Sequence, residues 1–195
     1  MDRAELTDAD RLRGGVHGAA LGEALGLPWA GVPARRISRR RLLDDVGPTG
    51  AFTAALLSGE GDPLAVALRD GWSGRLDTAQ RLGFAAFVVA RLAATTFGGR
   101  PVYQLLTDHG EDWPVPFHGT DSNERAVLDA LLAILHRHDD PTEGMTAAVR
   151  LGGAGTARLG ALTGAILGCR RPGAVERVAW RERVVLPDDS ALKAL

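Results

Sequence analysis

Small and apolar residues recur at helical spacing along most of the chain, and strand-like alternation is scarce. In 11-RLRGGVHGAALGEALGLP-28, Gly14, Gly18 and Gly22 fall at every fourth residue and lay a smooth stripe along one helical face, against which another helix can approach closely. Thr7 and Asp10 stand in the spacing of a capping box, so this helix is predicted to begin after Thr7; Gly26 and Pro28 end it. Residues 29–47 carry no periodic pattern. A helix is predicted at 49–58, a turn from Gly59 to Pro63, and a short helix at 63–70. The segment 77–97 is the most evident buried helix, stopped by Gly98 and Gly99, and Pro101 opens a short helix to about Thr107. Residues 109–121 read as a long surface loop. The helix predicted at 122–138 is amphipathic, with Val127, Leu128, Leu131, Leu132 and Leu135 on one face and His136 and His138 in its last turn. Asp140 caps a helix that begins at Pro141 and runs to Leu151. Gly152 and Gly153 break it, and a final long helix over about 156–170 is stopped by Pro172. Only 183-RVVLP-187 has strand character. The pattern predicts an all-α globule, one domain over residues 1–195.

Composition changes this picture little. Apolar residues make up 45% of the 195, enough for a sizeable core, but aromatics are only 5%, so the core must be built from Ala, Leu and Val. The net charge of −1 gives no global attraction to nucleic acid or to an anionic membrane. The acidic start MDRAELTDAD is no signal peptide, the longest apolar run is too short to span a bilayer, and the single cysteine, Cys169, fits a reducing compartment. The expectation is a cytoplasmic protein that binds neither membrane nor nucleic acid.

Two segments carry a resemblance. RLRGGVHGAALGEALGLP resembles the opening helix of ADP-ribosylglycohydrolases, RIRGxLxGxAxGDALGxP, with Gly14, Gly18, Gly22, Ala24, Leu25, Gly26 and Pro28 matching and Glu23 standing where that pattern has Asp. AAVRLGGAGTARLGALTGAILG resembles the family's late motif, AVxLGGDTDTxAAxAGALLG. The resemblance implies an orthogonal all-α bundle, shortened in the middle. It also implies a cleft with two Mg²⁺ held by a TDDT loop after the first helix and by the late GDTDT loop, and cleavage of ADP-ribosyl bonds. Mg²⁺ is hard and demands several oxygen ligands, which is why that chemistry needs carboxylates on facing loops.

The acids of both loops are absent here. In direct register Ala154 and Thr156 replace the two Asp of the late loop; shifted by one, Gly155 and Ala157 do. In the early loop Thr49 matches the first Thr, and Gly50 and Ala51 replace both Asp; a competing register uses Asp44 and Asp45. The expectation is therefore a degenerate member of that fold with no metal and no cofactor, acting as a binding or regulatory module. It would hold an ADP-ribose-like molecule at Thr49, Gly152, Gly153, Gly155 and Thr156, or a protein partner. Two alternatives stay open. One is an active hydrolase with a relocated site using Glu23, Asp44, Asp45 or Asp77. The other is an interaction module whose cleft is filled by side chains such as Phe52 and Arg158.

Other chemistry-bearing residues have bland readings beside sharper ones. Glu23 is a structural hydrogen-bond partner or a residual site acid, and His17 a satisfied core histidine. His109 and His118, beside Glu111, Asp112 and Asp121, lack tight metal-ligand spacing. The run Arg35, Arg36, Arg39, Arg40, Arg41 reads as a solvated loop paired with Asp44 and Asp45, or as a contact for pyrophosphate or nucleic acid. Cys169 lies at a helix end beside Arg170 and Arg171, neighbours able to lower a thiol pKa, but no sequence pattern makes it a nucleophile.

Overall fold

A glycine stripe needs a partner as smooth as itself, and the computed structural model supplies one. It describes residues 6–72 and 124–192. Along the chain lie α1 (Asp8–Gly26), α2 (Arg39–Leu42), α3 (Ala51–Ser58), α4 (Pro63–Trp72), α5 (Glu124–Arg137), α6 (Pro141–Arg150), α7 (Thr156–Arg170), α8 (Pro172–Val175) and α9 (Asp189–Leu192). Short 3₁₀ turns cover Leu27–Trp29, Ala34–Arg36 and Arg181–Arg183. No strand forms among the described residues, and residues 183–187, the one strand expected, form no ladder. The predicted helices over 77–97 and 101–107 and the loop 109–121 lie outside the described residues.

The central pair is α1 against α7, antiparallel. A Cβ added at Gly14, Gly18 or Gly22 would collide with the carbonyl oxygens of Gly168, Gly164 and Gly160. One added at Gly26 would lie 2.6 Å from the Ala157 Cα. Glycines therefore meet glycines rung by rung, and the two backbones pack without intervening side chains. Both helices are buried on nearly every face, Gly14 to Gly26 in α1 and Leu159 to Cys169 in α7, which explains why neither shows an amphipathic stripe. The outer helices α4, α5 and α6 do show one, because each covers the pair with one face only.

Two apolar clusters flank the pair. Val16 and Ala19 join Leu56, Leu68, Leu131, Leu159 and Leu162 on one side. Leu21, Ala24 and Leu25 join Trp29, Met145, Val149 and Trp180 on the other. The Trp180 indole N–H is buried and donates to the Leu21 carbonyl at 3.1 Å, which fixes the chain after α8 to the first helix.

Local sequence explains the boundaries. Thr7 and Asp10 form the capping box at the start of α1, with each side chain bonded to the other's backbone N–H. Asp140 accepts from the N–H groups of Thr142 and Glu143 at 2.9 and 3.2 Å, and Pro141 opens α6. Gly59 ends α3 in the left-handed conformation.

Candidate functional site

Glu23 lies on the buried face of α1 and is only 3% exposed. Its carboxylate reaches the start of α3, where Oε1 accepts from the Phe52 N–H at 2.8 Å and Oε2 from the Thr53 N–H at 2.9 Å. The N-cap of α3 is Gly50, which has no side chain to cap with, so Glu23 caps the helix from another element. A Cβ at Gly50 would stand 2.7 Å from Glu23 Oε1. The carboxylate thus occupies the space a longer residue 50 would need, and Gly50 is the counterpart of Glu23 rather than an isolated loss. Both carboxylate oxygens are engaged by backbone, which is the structural reading of Glu23.

The late loop is also filled from within. Gly152 and Gly153 have φ of 70° and 90°, backbone that L side chains rarely adopt. The Gly153 N–H donates to the Val32 carbonyl at 3.0 Å and its carbonyl accepts from the Gly31 N–H at 2.9 Å, so segment 31–33 lies along the loop as a short antiparallel bridge. The Gly152 N–H closes a turn to Val149 O at 3.0 Å. Thr156 is fully buried, and its hydroxyl donates to the Gly153 carbonyl at 2.6 Å. Gly155 is the N-cap of α7 without a side-chain bond, and Ala154 is exposed.

Beside it, Arg158 Nε contacts Asp62 Oδ2 at 2.6 Å, while Asp62 Oδ1 accepts from the N–H groups of Leu64 and Ala65. One carboxylate therefore caps α4 and ties it to α7. Sequence reading passed over Asp62; its signal was the Asp-Pro step it shares with Asp140-Pro141.

Thr49 is half-buried at the entry to α3. It lines a cleft of about 480 Å³ with Gly50, Thr53, Ala54 and Leu57 on one wall and Val185, Leu186, Pro187 and Asp188 on the other. The Thr53 hydroxyl is buried there without a hydrogen-bond partner among the described residues. The second wall is tethered by His17, whose Nε2 donates to the Pro187 carbonyl at 3.1 Å; its Nδ1 faces Glu176 at 3.7 Å. Of the residues expected to hold a ligand, Thr49 thus lines this cleft, whereas Gly152, Gly153, Gly155 and Thr156 do not.

Asp44 and Asp45 are exposed at the end of α2, and among the described residues no three His, Cys, Asp or Glu side chains come together as a metal cluster. Asp77, His109 and His118 lie outside the described residues. Among the described residues, the side chains of the two loops do not fit a Mg²⁺ pair: the early loop offers Thr49, Gly50 and Ala51, the late one Ala154, Gly155 and Thr156, and both oxygens of Glu23 accept backbone N–H groups.

Two expectations are corrected. Arg170 and Arg171 do not activate Cys169; they pair with Asp139 at 2.8 and 3.3 Å. The thiol is fully buried, and burial drives its pKa far above the usual thiol range, with Arg11 pulling more weakly the other way. The arginines Arg35, Arg36, Arg40 and Arg41 are exposed, and no ion pair joins them to Asp44 or Asp45.

No helix among the described residues is long and apolar enough to cross a membrane. No family model matches the sequence, and no curated protein matches it. The fold does have a counterpart among solved structures. A chain titled "ADP-ribosylglycohydrolase-related protein complex" superposes with a TM-score of 0.67 at 21% identity, over 96% of this chain and 97% of that one. The chain therefore has an all-α fold of the ADP-ribosylglycohydrolase-related type.

Proposed function

We propose that this chain uses an ADP-ribosylglycohydrolase-like scaffold without its hydrolytic chemistry and acts by binding, as an interaction module in a protein assembly. The observation that carries this reading is where the polar groups of the two loops go. Glu23 spends both carboxylate oxygens on the N–H groups of Phe52 and Thr53, and the Gly153 amide and carbonyl are taken by Val32 and Gly31. Groups that would face a substrate instead hold the fold together. A dication pair contributes several kcal/mol to such a reaction, and each ~1.4 kcal/mol is a tenfold change in rate. Loops without carboxylates forfeit that contribution. The word "complex" in the structural counterpart's title is consistent with a role among partners.

The test is an assay of ADP-ribosyl-arginine hydrolysis with Mg²⁺ present. No turnover above the uncatalysed rate is expected; turnover abolished by Asp44→Ala overturns the reading and restores a relocated active site.

A second reading has one observation in its favour: Thr49 and the unpartnered Thr53 hydroxyl lie on an open cleft. An ADP-ribose-like molecule seated there would give calorimetric binding without Mg²⁺ that weakens with Thr49→Val. Asp188 on the rim and Glu23 behind the wall place negative charge near that cleft, which disfavours a pyrophosphate.

A further inference from the structure

The arginine run is displayed on a braced ledge. Arg35 and Arg36 lie on the 3₁₀ turn Ala34–Arg36, Arg40 and Arg41 on α2, and all four are exposed. Between and after them Ile37 and Leu42 are 6% and 0% exposed and enter the cluster of Trp29, Met145 and Trp180. The Ser38 hydroxyl accepts from the Arg41 N–H at 3.2 Å and caps α2. Upstream, segment 31–33 is bonded to Gly153, and an added Cβ at Gly152 would lie 2.5 Å from the Ala34 N. Downstream, Arg183 donates to the carbonyls of Leu43 and Asp44. The loop that carries acids in the resemblance is here the brace behind a basic surface.

These four guanidiniums make no ion pair among the described residues, in a chain whose net charge is −1. Uncompensated charge of one sign on pinned backbone favours an anionic partner, because only the side chains, and not the backbone, remain to be ordered on contact. Two features select among anions. Nucleic acid takes its affinity from many phosphate contacts and, when single-stranded, from stacking on aromatics. The ledge offers few contacts and no interleaved aromatic, and the exposed Asp44 and Asp45 end it. Carboxylates on a short peptide fit guanidinium forks over such a span. Resting on the reading that the chain acts by binding, we propose that the ledge Arg35–Arg41 docks an acidic, Asp/Glu-rich segment of a partner protein.

The experiment is fluorescence anisotropy of the full chain with a fluorescein-labelled polyglutamate peptide of about ten residues. Saturable binding is expected, weakening as NaCl rises from about 50 to about 300 mM. Arg40→Glu with Arg41→Glu should lower affinity about tenfold or more, whereas the equal charge change Arg137→Glu with Arg177→Glu, both exposed, should change it less than about twofold. All four side chains are on the surface, and unchanged melting would show the fold intact. Absence of peptide binding, equal loss in both double variants, or tighter binding of a 16-base-pair duplex DNA each overturns the docking proposal. None of these touches the hydrolysis assay, whose positive outcome would instead overturn the non-catalytic reading.

Discussion

The two glycine-rich regions look alike in sequence and differ in what their glycines do. In the α1–α7 pair, Gly14, Gly18 and Gly22 meet Gly168, Gly164 and Gly160 in ordinary helical backbone, and the missing side chain is what matters. In the loop after α6, Gly152 and Gly153 take φ of 70° and 90°, so conformation matters first, and at Gly152 close contact is added to it, since a Cβ there would lie 2.5 Å from the Ala34 N. A stripe of glycine can therefore mean contact or turn, and only its register with a second segment tells them apart.

Substitutions separate the two uses. The largest loss is expected in the pair: Gly18→Ala pushes a methyl into the Gly164 carbonyl with no flexible side chain to yield, costing about 3 kcal/mol or more, read as a fall in denaturation midpoint. Gly152→Ala should follow closely, about 2 to 3 kcal/mol, because left-handed strain adds to the backbone contacts with Ala34 and Val32; a loss under about 1 kcal/mol would mean that neither is felt.

Next comes Glu23→Ala, which uncaps α3 and should cost roughly 2 kcal/mol. Gly50→Asp should destabilise the native chain, because its Cβ meets Glu23 Oε1, yet regain about 1 kcal/mol in the Glu23→Ala background by capping α3 locally. If the two changes simply add, Glu23 and Gly50 are not counterparts.

The smallest effect is at the entry to α1. The Thr7 side-chain and backbone hydrogen bonds hold the Asp10 carboxyl below its usual pKa. A depressed folded pKa stabilises above the unfolded value, near 3.9, and that contribution disappears as pH falls through the folded one. Thr7→Ala should therefore lower the melting temperature slightly at neutral pH and by less in strong acid, where only the bond from the Asp10 N–H to the Thr7 hydroxyl is left to lose.

Legibility followed distance along the chain. The starts of α1 and α6 could be read from Thr7–Asp10 and Asp140–Pro141 because each cap lies within a few residues of the N–H it serves. The stripe of α1 announced close packing, but not that its partner would be glycine on α7. Glu23 could be singled out, yet its bonds reach Phe52 and Thr53, and Asp62 joins Arg158 across 96 residues. Such pairings depend on which helices meet, and neither periodicity nor capping contains that information. The same holds for segment 31–33, whose irregular sequence hid that it fills the late loop.

The register of the central pair also constrains biosynthesis. From Gly22 to its partner Gly160 is 138 residues. A nascent chain therefore emerges with the glycine stripe of α1 uncovered, although α3 and α4 can reach its other faces, and the central pair closes only when α7 has left the ribosome. Contacts of such long sequence separation form slowly, and exposed apolar surface in the interval invites aggregation. Truncation before Thr156 should yield insoluble chain rather than a smaller folded unit, so expression depends on completing the last fifth of the polypeptide.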